Sequence, residues 1–275
     1  MKVAVYQSYR TRHVPAWIEA CMGSVKSWAA ASGFDYHFMG DELFALAPDW
    51  FRAKAGAEIC PVTDLARLVA AKNLMARGYD LTIWVDADVL VFKPGNMKLV
   101  LTQGFAFCHE IWASADETGA AKIQHRVNNS VTVFSRHNVH LDFFIDSGLQ
   151  IANQLTVLGK LDIGTHFLSK LRHILPFPLI ENVGMFSPPI MADIAQGEQR
   201  FLPALAKALP LPLACANLCA SLQDQPIPGF STDAAIYEAV VEACLSSGGD
   251  VVNRFIQKAQ ASAGWVGAGS PTRSS

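Results

Sequence analysis

The stretch DLTIWVDADVLVF (residues 80–92) carries the strongest strand signal in the chain, with the apolar runs IWV and VLVF on either side of Asp86 and Asp88. In an extended chain, side chains two apart point to the same face, so both carboxylates are expected to face one spot. Two desolvated like charges must either find a cation or become neutral, and a divalent metal relieves both the burial and the repulsion. The pair therefore predicts a site for Mg²⁺ or Mn²⁺. The alternative, two aspartates that end a strand and begin a turn, fits less well because the strand pattern resumes at once.

Strand and helix patterns alternate on both sides of this stretch. Residues 2–8 predict a first strand, 15–32 a helix and 35–40 a second strand. Residues 63–77 predict a helix that Thr63 or Asp64 caps and Gly78 ends. The order predicts an α/β fold with a Rossmann-like, mixed but mostly parallel sheet flanked by helices. Further strands are expected at 104–113 and 130–136, and helices near 139–159, 163–171, 190–208 and 232–246. Residues 41–60 are expected to be loop-rich, and 263–275 to be a flexible tail.

The composition restricts the classes of partner. The 275 residues are 51% hydrophobic and 17% charged, with a formal charge of −2 and a pI near 6.4. This is typical of a globular protein, and nucleic acid and anionic membrane are poor candidates for its main partner. No stretch approaches the roughly 18 apolar residues of a membrane span, and the N-terminal apolar run is too short for a signal peptide. Six scattered cysteines favour reduced thiols in a cytoplasmic protein.

The segment IWVDADVLVF (83–92) resembles the D-x-D strand of GT-A glycosyltransferases, most of all bacterial enzymes of polysaccharide or lipopolysaccharide assembly. The resemblance implies a divalent ion that bridges the acidic pair and the diphosphate of a UDP- or GDP-sugar. It also implies transfer of a hexosyl group to a glycan or lipid-linked acceptor, by a protein that is cytoplasmic or peripheral to the inner membrane. One domain (1–262) would comprise a nucleotide-binding half (1–100) and an acceptor half (101–262).

The helix before this strand carries Asp64, Arg67 and Lys72. Asp64-x-x-Arg67 resembles the D-x-x-R helix that touches the nucleoside or diphosphate in these enzymes, which would make both residues part of the donor site. The alternative is an ordinary surface pair, which contributes little. Lys72 falls within an apolar sector at helical spacing, so it either reaches an anion at the sheet edge or extends past its neighbours to water.

Two further polar groups are candidates for the donor site. Gln7 and Tyr9 end the first strand, where a base would bind in a parallel sheet, and Tyr9 could stack on it. Asn128 and Asn129 begin a segment similar to N-x-G-x-x-x-F in related transferases, with Ser130 or Val131 where glycine is frequent. The alternatives are an ordinary polar loop and asparagines that form a turn.

Asp162 and His166, four residues apart, are the candidates for catalysis. Sister families carry an acid where His166 stands, so Asp162 could be the catalytic base and His166 a metal or acceptor ligand. A structural histidine is the alternative. No histidine follows His173, so the C-terminal metal-ligand histidine of some GT-A families is absent.

Three other functions compete with glycosyl transfer as interpretations of this sequence. A haloacid-dehalogenase-type phosphohydrolase places its D-x-D after the first strand, whereas here a strand–helix–strand–helix unit precedes it. A sugar nucleotidyltransferase needs a glycine-rich loop after strand one, and YQSYRTRH (6–13) contains no glycine. A non-catalytic nucleotide-sugar-binding module remains an alternative, because the catalytic base is unassigned.

Overall fold

The computed structural model describes residues 1–97, 99, 101 and 103–262. Its strands, in chain order, are β1 (Val3–Ser8), β2 (Asp35–Met39), β3 (Leu81–Val85), β4 (Val89–Val91), β5 (Phe105–Ala115), β6 (Ala121–Ser135), β7 (Leu179–Ile180), β8 (Val183–Met185) and β9 (Cys215–Asn217). Its helices are α1 (Ala16–Ala31), α2 (Asp49–Ala55), α3 (Ile59–Ala76), α4 (His140–Gln154), α5 (Thr165–Ile174), α6 (Pro188–Gln196), α7 (Leu202–Ala208), α8 (Ala234–Ser246) and α9 (Asp250–Ser262). Short 3-10 helices cover Asp41–Leu46, Pro94–Asn96 and Ala220–Leu222.

The strands form two sheets. The larger has six strands in the order β2-β1-β3-β6-β5-β7, and the smaller has three in the order β4-β9-β8. In the larger sheet, β1 is parallel to β2 and β3, β6 is antiparallel to β3 and β5, and β7 is parallel to β5. The predicted α/β class, with a mostly parallel central sheet flanked by helices, is confirmed. Since β3 pairs with β6, the sheet joins the two predicted halves of the chain.

Helices cover both faces of the six-stranded sheet. Alternating side chains of the strands pack on opposite faces. On one face Val25, Trp28 and Ala29 of α1 join a core cluster with β1 and β3. On the other face, α3, α4 and α5 pack over Tyr6, Trp84 and a group of phenylalanines. Helices α6 to α9 surround the smaller sheet in a third cluster. Helices of all three clusters therefore pack around the edge where the two sheets meet.

The prediction of one continuous strand over 80–92 is wrong. β3 ends at Val85, and β4 begins at Val89 and pairs with β9 in the other sheet. The backbone turns between them, and the amide of Val89 donates to the carbonyl of Asp86 at 3.1 Å. Both flanking runs are buried, and a continuous apolar pattern does not distinguish one long strand from two short ones in different sheets.

Four other local predictions need correction. α3 begins at Ile59, so Thr63 and Asp64 lie inside the helix and do not cap it; Pro61 suits its first turn. Residues 41–60, predicted as loop-rich, contain a 3-10 helix and α2. The helix predicted over 190–208 is two helices, because Gly197, with a φ of 70°, ends α6. The predicted strand over 130–136 begins nine residues earlier, at Ala121.

Strands β7 to β9 and helix α9 were not predicted, and the predicted tail, 263–275, lies outside the described residues. None of the helices in the described part of the chain has the length and apolar character needed to cross a bilayer.

Candidate functional site

A cavity of about 450 Å³ opens beyond the carboxyl ends of β1 and β3, beside the β5–β6 ribbon. Ligands of open α/β sheets bind at this edge. Lys160, Leu161 and Thr165 complete its wall, together with Asn217 and residues 219–222. The charged side chains in its lining are Asp64, Arg67, Asp86, Asp88, Glu110, Arg126 and Lys160.

The turn between β3 and β4 fixes Asp86 at the cavity wall. Its amide donates to the carbonyl of Ser130 at 2.7 Å, and Gln7 Nε2 donates to its carbonyl at 3.1 Å. Its carboxylate Oδ1 accepts from Trp84 Nε1 at 2.6 Å and lies 3.2 Å from Arg67 Nη1. Backbone and side chain are both held, so this carboxylate is preorganised.

Asp88 faces the same cavity from the start of the second sheet. Its Oδ1 accepts from Asn217 Nδ2 at 2.8 Å, and its Oδ2 accepts from the amide of Ala220 at 2.7 Å. The two aspartates thus meet at one cavity, as predicted, although the chain between them is a turn. Asn217 was not identified from the sequence because it lies 129 residues further along the chain.

Arg67 is the buried cation behind the acidic pair. Its Nη2 lies 2.9 Å from Asp64 Oδ1, and its Nη1 donates to the carbonyl of Asn129 at 2.6 Å. The guanidinium also lies over the ring of Trp84, 4.8 Å from its centroid. Burial raises the pKa of Asp64 to about 6, an effect that Arg67 and Asn129 partly offset. Asp64 and Arg67 both line the cavity.

Neighbouring protein groups do not fully neutralise the negative charges of Asp86 and Asp88. Burial raises the pKa of Asp88 to about 7, with repulsion from Asp86 as the second cause. Burial also raises the pKa of Asp86, although Arg67 opposes it. Both carboxylates therefore favour a proton or an added cation.

The carboxylate oxygens of Asp86 and Asp88 suit a hard divalent cation. No described residue donates a hydrogen bond to Asp86 Oδ2, and each oxygen of Asp88 accepts only one from the described residues. In the described part of the chain, no group of three His, Cys, Asp or Glu side chains is placed to hold a metal. Two carboxylates would thus share the ion with oxygens of water or ligand, an arrangement that suits Mg²⁺.

The two candidates at the end of β1 have different positions. Tyr9 is half-buried and lines the cavity, where a base could stack on it. Gln7 is fully buried: besides its bond to Asp86, its Oε1 accepts from Tyr36 Oη at 3.0 Å. Gln7 therefore positions the turn and does not line the cavity.

Asn128 and Asn129 both line the cavity, but from within β6 rather than before a strand. Asn129 Nδ2 donates to Asp64 Oδ1 at 2.9 Å, and Asn128 Nδ2 donates to Glu110 Oε2 at 2.9 Å. Through these two asparagines, β6 is hydrogen-bonded to the Asp64 carboxylate of α3 and to the Glu110 carboxylate of β5.

Glu110, Trp112, Arg126 and Lys160 line the cavity and were not predicted as site residues. Glu110 had a signal of the kind used for Asp86, because it is a lone acid in the apolar strand FAFCHEIWA (105–113). The other three gave no comparable signal, since their proximity depends on strand pairing and loop packing.

Besides Gln7, three predicted residues lie outside the cavity lining. Lys72 is exposed and its Nζ lies 2.7 Å from Asp142 Oδ1. Asp162 Oδ2 accepts from the amide of Gly159 at 2.7 Å, and His166 Nδ1 lies 3.7 Å from Asp162 Oδ1. The placement of these three at the reaction site is not supported by the structure.

The buried sector of α3 differs from the predicted one, and Lys72 lies outside it. The buried face of α3 contains Ala66, Ala70, Ala71 and Leu74, and small residues allow a helix to pack closely against a sheet. The sequence interpretation followed the larger apolar side chains, which placed the buried sector at the wrong angle.

No family model matches this chain, and no curated protein matches it. Among solved structures, it is similar to the apo form of the glycosyltransferase GlyE from Streptococcus pneumoniae TIGR4, with 15% identity, 94% of this chain and 64% of that chain covered, and a TM-score of 0.46. It is also similar to mouse xyloside xylosyltransferase 1, with 11% identity, coverage of 82% and 99%, and a TM-score of 0.41. The PaToxG glycosyltransferase has 13% identity, coverage of 91% and 87%, and a TM-score of 0.36. Similarity of this size does not establish a shared activity.

Proposed function

We propose that this chain is a metal-dependent glycosyltransferase that transfers a hexosyl group from a nucleotide-diphosphate sugar to an acceptor hydroxyl. The observation that carries the proposal is the meeting of Asp86 and Asp88 at one cavity, beyond the carboxyl ends of parallel strands and beside the buried Arg67. The resemblance of IWVDADVLVF to the D-x-D segment of GT-A enzymes supports the same function.

The residues around the acidic pair suit the diphosphate end of the donor. Mg²⁺ or Mn²⁺ held by Asp86 and Asp88 would supply Lewis-acid stabilisation of the diphosphate leaving group. Arg67 fixes the first carboxylate, while Arg126 and Lys160 add positive charge elsewhere in the lining. The nucleoside of a UDP- or GDP-sugar would lie towards Tyr9.

The remainder of the cavity suits a sugar and its acceptor. Its volume lies within the range of small-molecule sites. Trp112 offers an aromatic face, and Asn128 and Glu110 offer polar atoms for hydroxyl groups. A glycan or lipid-linked acceptor, in glycan or polysaccharide biosynthesis, is the substrate class that we infer.

Calorimetric binding of UDP and GDP, with and without Mn²⁺, tests the donor site. We expect Mn²⁺-dependent binding of one nucleotide by the wild type, loss of that binding in Asp88→Asn, and wild-type binding in the control Asp162→Asn. Nucleotide binding that does not depend on Mn²⁺, or equal nucleotide binding by both variants, would contradict the proposal.

Hydrolysis of the matching nucleotide sugar with Mn²⁺ present separates an enzyme from a binding module. Release of nucleoside diphosphate by the wild type supports an enzyme. Binding without release would favour a non-catalytic nucleotide-sugar-binding module.

A further inference from the structure

Glu110 is a buried carboxylate that the donor site does not use. It lies in β5, is 5% exposed and lines the cavity. Its Oε2 accepts from Asn128 Nδ2 at 2.9 Å, and its Oε1 lies 3.5 Å from Arg126 Nη1. An acid in a buried strand is costly to ionise, so its position calls for an explanation beyond packing.

Glu110 lines the same cavity as the acidic pair but on a different strand. β6 lies between β3 and β5, so Glu110 lies on a strand about 10 Å across the sheet from β3, the strand that ends just before Asp86. Asp86 bonds to Ser130 of β6 and Glu110 to Asn128 of the same strand. Glu110 pairs with Arg126, four residues from Ser130 on β6, so Asp86 and Glu110 are separated along β6 as well as across the sheet, and Asn128 lies between them in the cavity lining.

The other acids of the described cavity lining already have partners or another role. Asp64 is paired with Arg67 and Asn129, and Asp86 and Asp88 form the donor end. Burial raises the pKa of Glu110, which Asn128 and Arg126 only partly counteract, and a carboxylate in this state is a better proton acceptor than a solvated one.

We propose that Glu110 is the catalytic base of the transfer, an inference that rests on the proposed function. The acceptor oxygen forms a bond to the anomeric carbon, and its proton passes to the Glu110 carboxylate. The bond from that carbon to the diphosphate oxygen breaks, and its electron pair leaves with the nucleoside diphosphate. Glu110 then releases the proton to solvent. Attack from the side opposite the leaving group inverts the anomeric configuration.

The test uses water as acceptor, with UDP-glucose and GDP-mannose as donors and Mn²⁺ present. For the donor that the wild type hydrolyses, we expect Glu110→Gln to lower kcat by about 10²–10⁴-fold while the Kd of the nucleotide stays the same. With Mn²⁺ at saturating concentration, so that Asp86 and Asp88 stay ionised, the kcat of the wild type is expected to fall at low pH as Glu110 becomes protonated, and Glu110→Gln loses this dependence. If Glu110 had only a structural role, its substitution would not remove the fall in kcat at low pH. Glu110→Asp, which keeps the carboxylate, should recover part of the rate, and the control Asp162→Asn should match the wild type.

The possible failures are distinguishable. If the wild type hydrolyses neither donor, the proposed function fails and the role of Glu110 fails with it. If the wild type is active and Glu110→Gln matches its rate and pH profile, only the assignment of the base is wrong. Release of a sugar with retained configuration, observed by NMR, would also overturn that assignment.

Discussion

Two acid–base pairs in this chain have nearly the same sequence spacing and very different surroundings. Asp64 and Arg67 lie 2.9 Å apart with side chains 8% and 6% exposed, whereas Asp162 and His166 lie 3.7 Å apart with side chains 30% and 56% exposed. The first pair lies within α3 and faces the cavity. The second begins before the first residue of α5 and lies at the surface. Spacing therefore brings two groups together, but the packing of their helix decides whether they belong to a site.

Burial also changes how much an ion pair contributes to the free energy of unfolding. An exposed ion pair contributes about 0–1 kcal/mol, and a buried one leaves an uncompensated charge when one partner is removed. Arg67 serves two acids, Asp64 and Asp86, so the contrast with the surface pair should be large.

The largest effect is expected from Arg67→Met. The substitution leaves Asp64 and Asp86 buried without their cation and should lower the free energy of unfolding by about 3–5 kcal/mol. The matched change in the exposed pair, His166→Ala, should stay within about 0.5 kcal/mol. Urea unfolding of both variants measures the difference. Equal destabilisation would remove the contrast between the pairs.

The next effect concerns pH. The pKa of Asp64 is raised from 3.8 to about 6 in the folded state, chiefly by burial. Between these values the folded state holds more protons than the unfolded state, so the free energy of unfolding falls as pH rises from about 4 to 6. The shift corresponds to about 3 kcal/mol, and Asp64→Asn should lack this contribution.

Urea unfolding of the wild type and of Asp64→Asn at pH 4, 5 and 6, with EDTA present, measures the slope. The wild type should lose more stability than the variant over this range. Parallel curves would show that the Asp64 carboxyl is not perturbed by its surroundings.

A smaller effect is expected from Trp84→Phe, which keeps a ring under Arg67 but removes the Nε1 donor to Asp86. Loss of a hydrogen bond to a charged group should cost about 2 kcal/mol and weaken Mn²⁺-dependent nucleotide binding. Trp50→Phe, at a side chain 46% exposed, is the control. Equal unfolding midpoints for the two variants would show that the indole does not support the carboxylate.

The smallest effect is expected from Lys72→Met. Lys72 and Asp142 form a pair with side chains 58% and 64% exposed, so the loss should be at most about 1 kcal/mol. Nucleotide affinity, measured by calorimetry, should not change. A clear loss of affinity would restore Lys72 to the donor site and contradict its placement on the surface.

The sequence was most informative where the signal is local. β1, α1 and β2 follow the predicted segments, and the pair Asp86 and Asp88 does meet at one cavity. In each case the pattern depends on neighbours a few residues away. The acids were correctly grouped even though the continuous strand was wrong, because a turn between two buried strands also directs both to the same edge.

The rest of the site depends on contacts between distant segments. Glu110 and Arg126 face each other because β5 and β6 pair in a particular register. Asn217 reaches Asp88 because β9 pairs with β4. No local pattern fixes such a register. Spacing and a family resemblance pointed to Asp162 and His166, but neither fixes burial, which separates this pair from Asp64 and Arg67 and is set by the whole fold.

The turn from Asp86 to Asp88 belongs to both sheets at once. Asp86 bonds to Ser130 in the larger sheet, and the carbonyl of Asp88 accepts from Leu218, next to β9 in the smaller one. A ligand held by both carboxylates would stabilise the folded state only while the two sheets stay in place. Local opening of either sheet would release it, so occupancy should merge them into one cooperative unfolding unit. Amide hydrogen exchange of Asn217 and of Ser130 would then slow together.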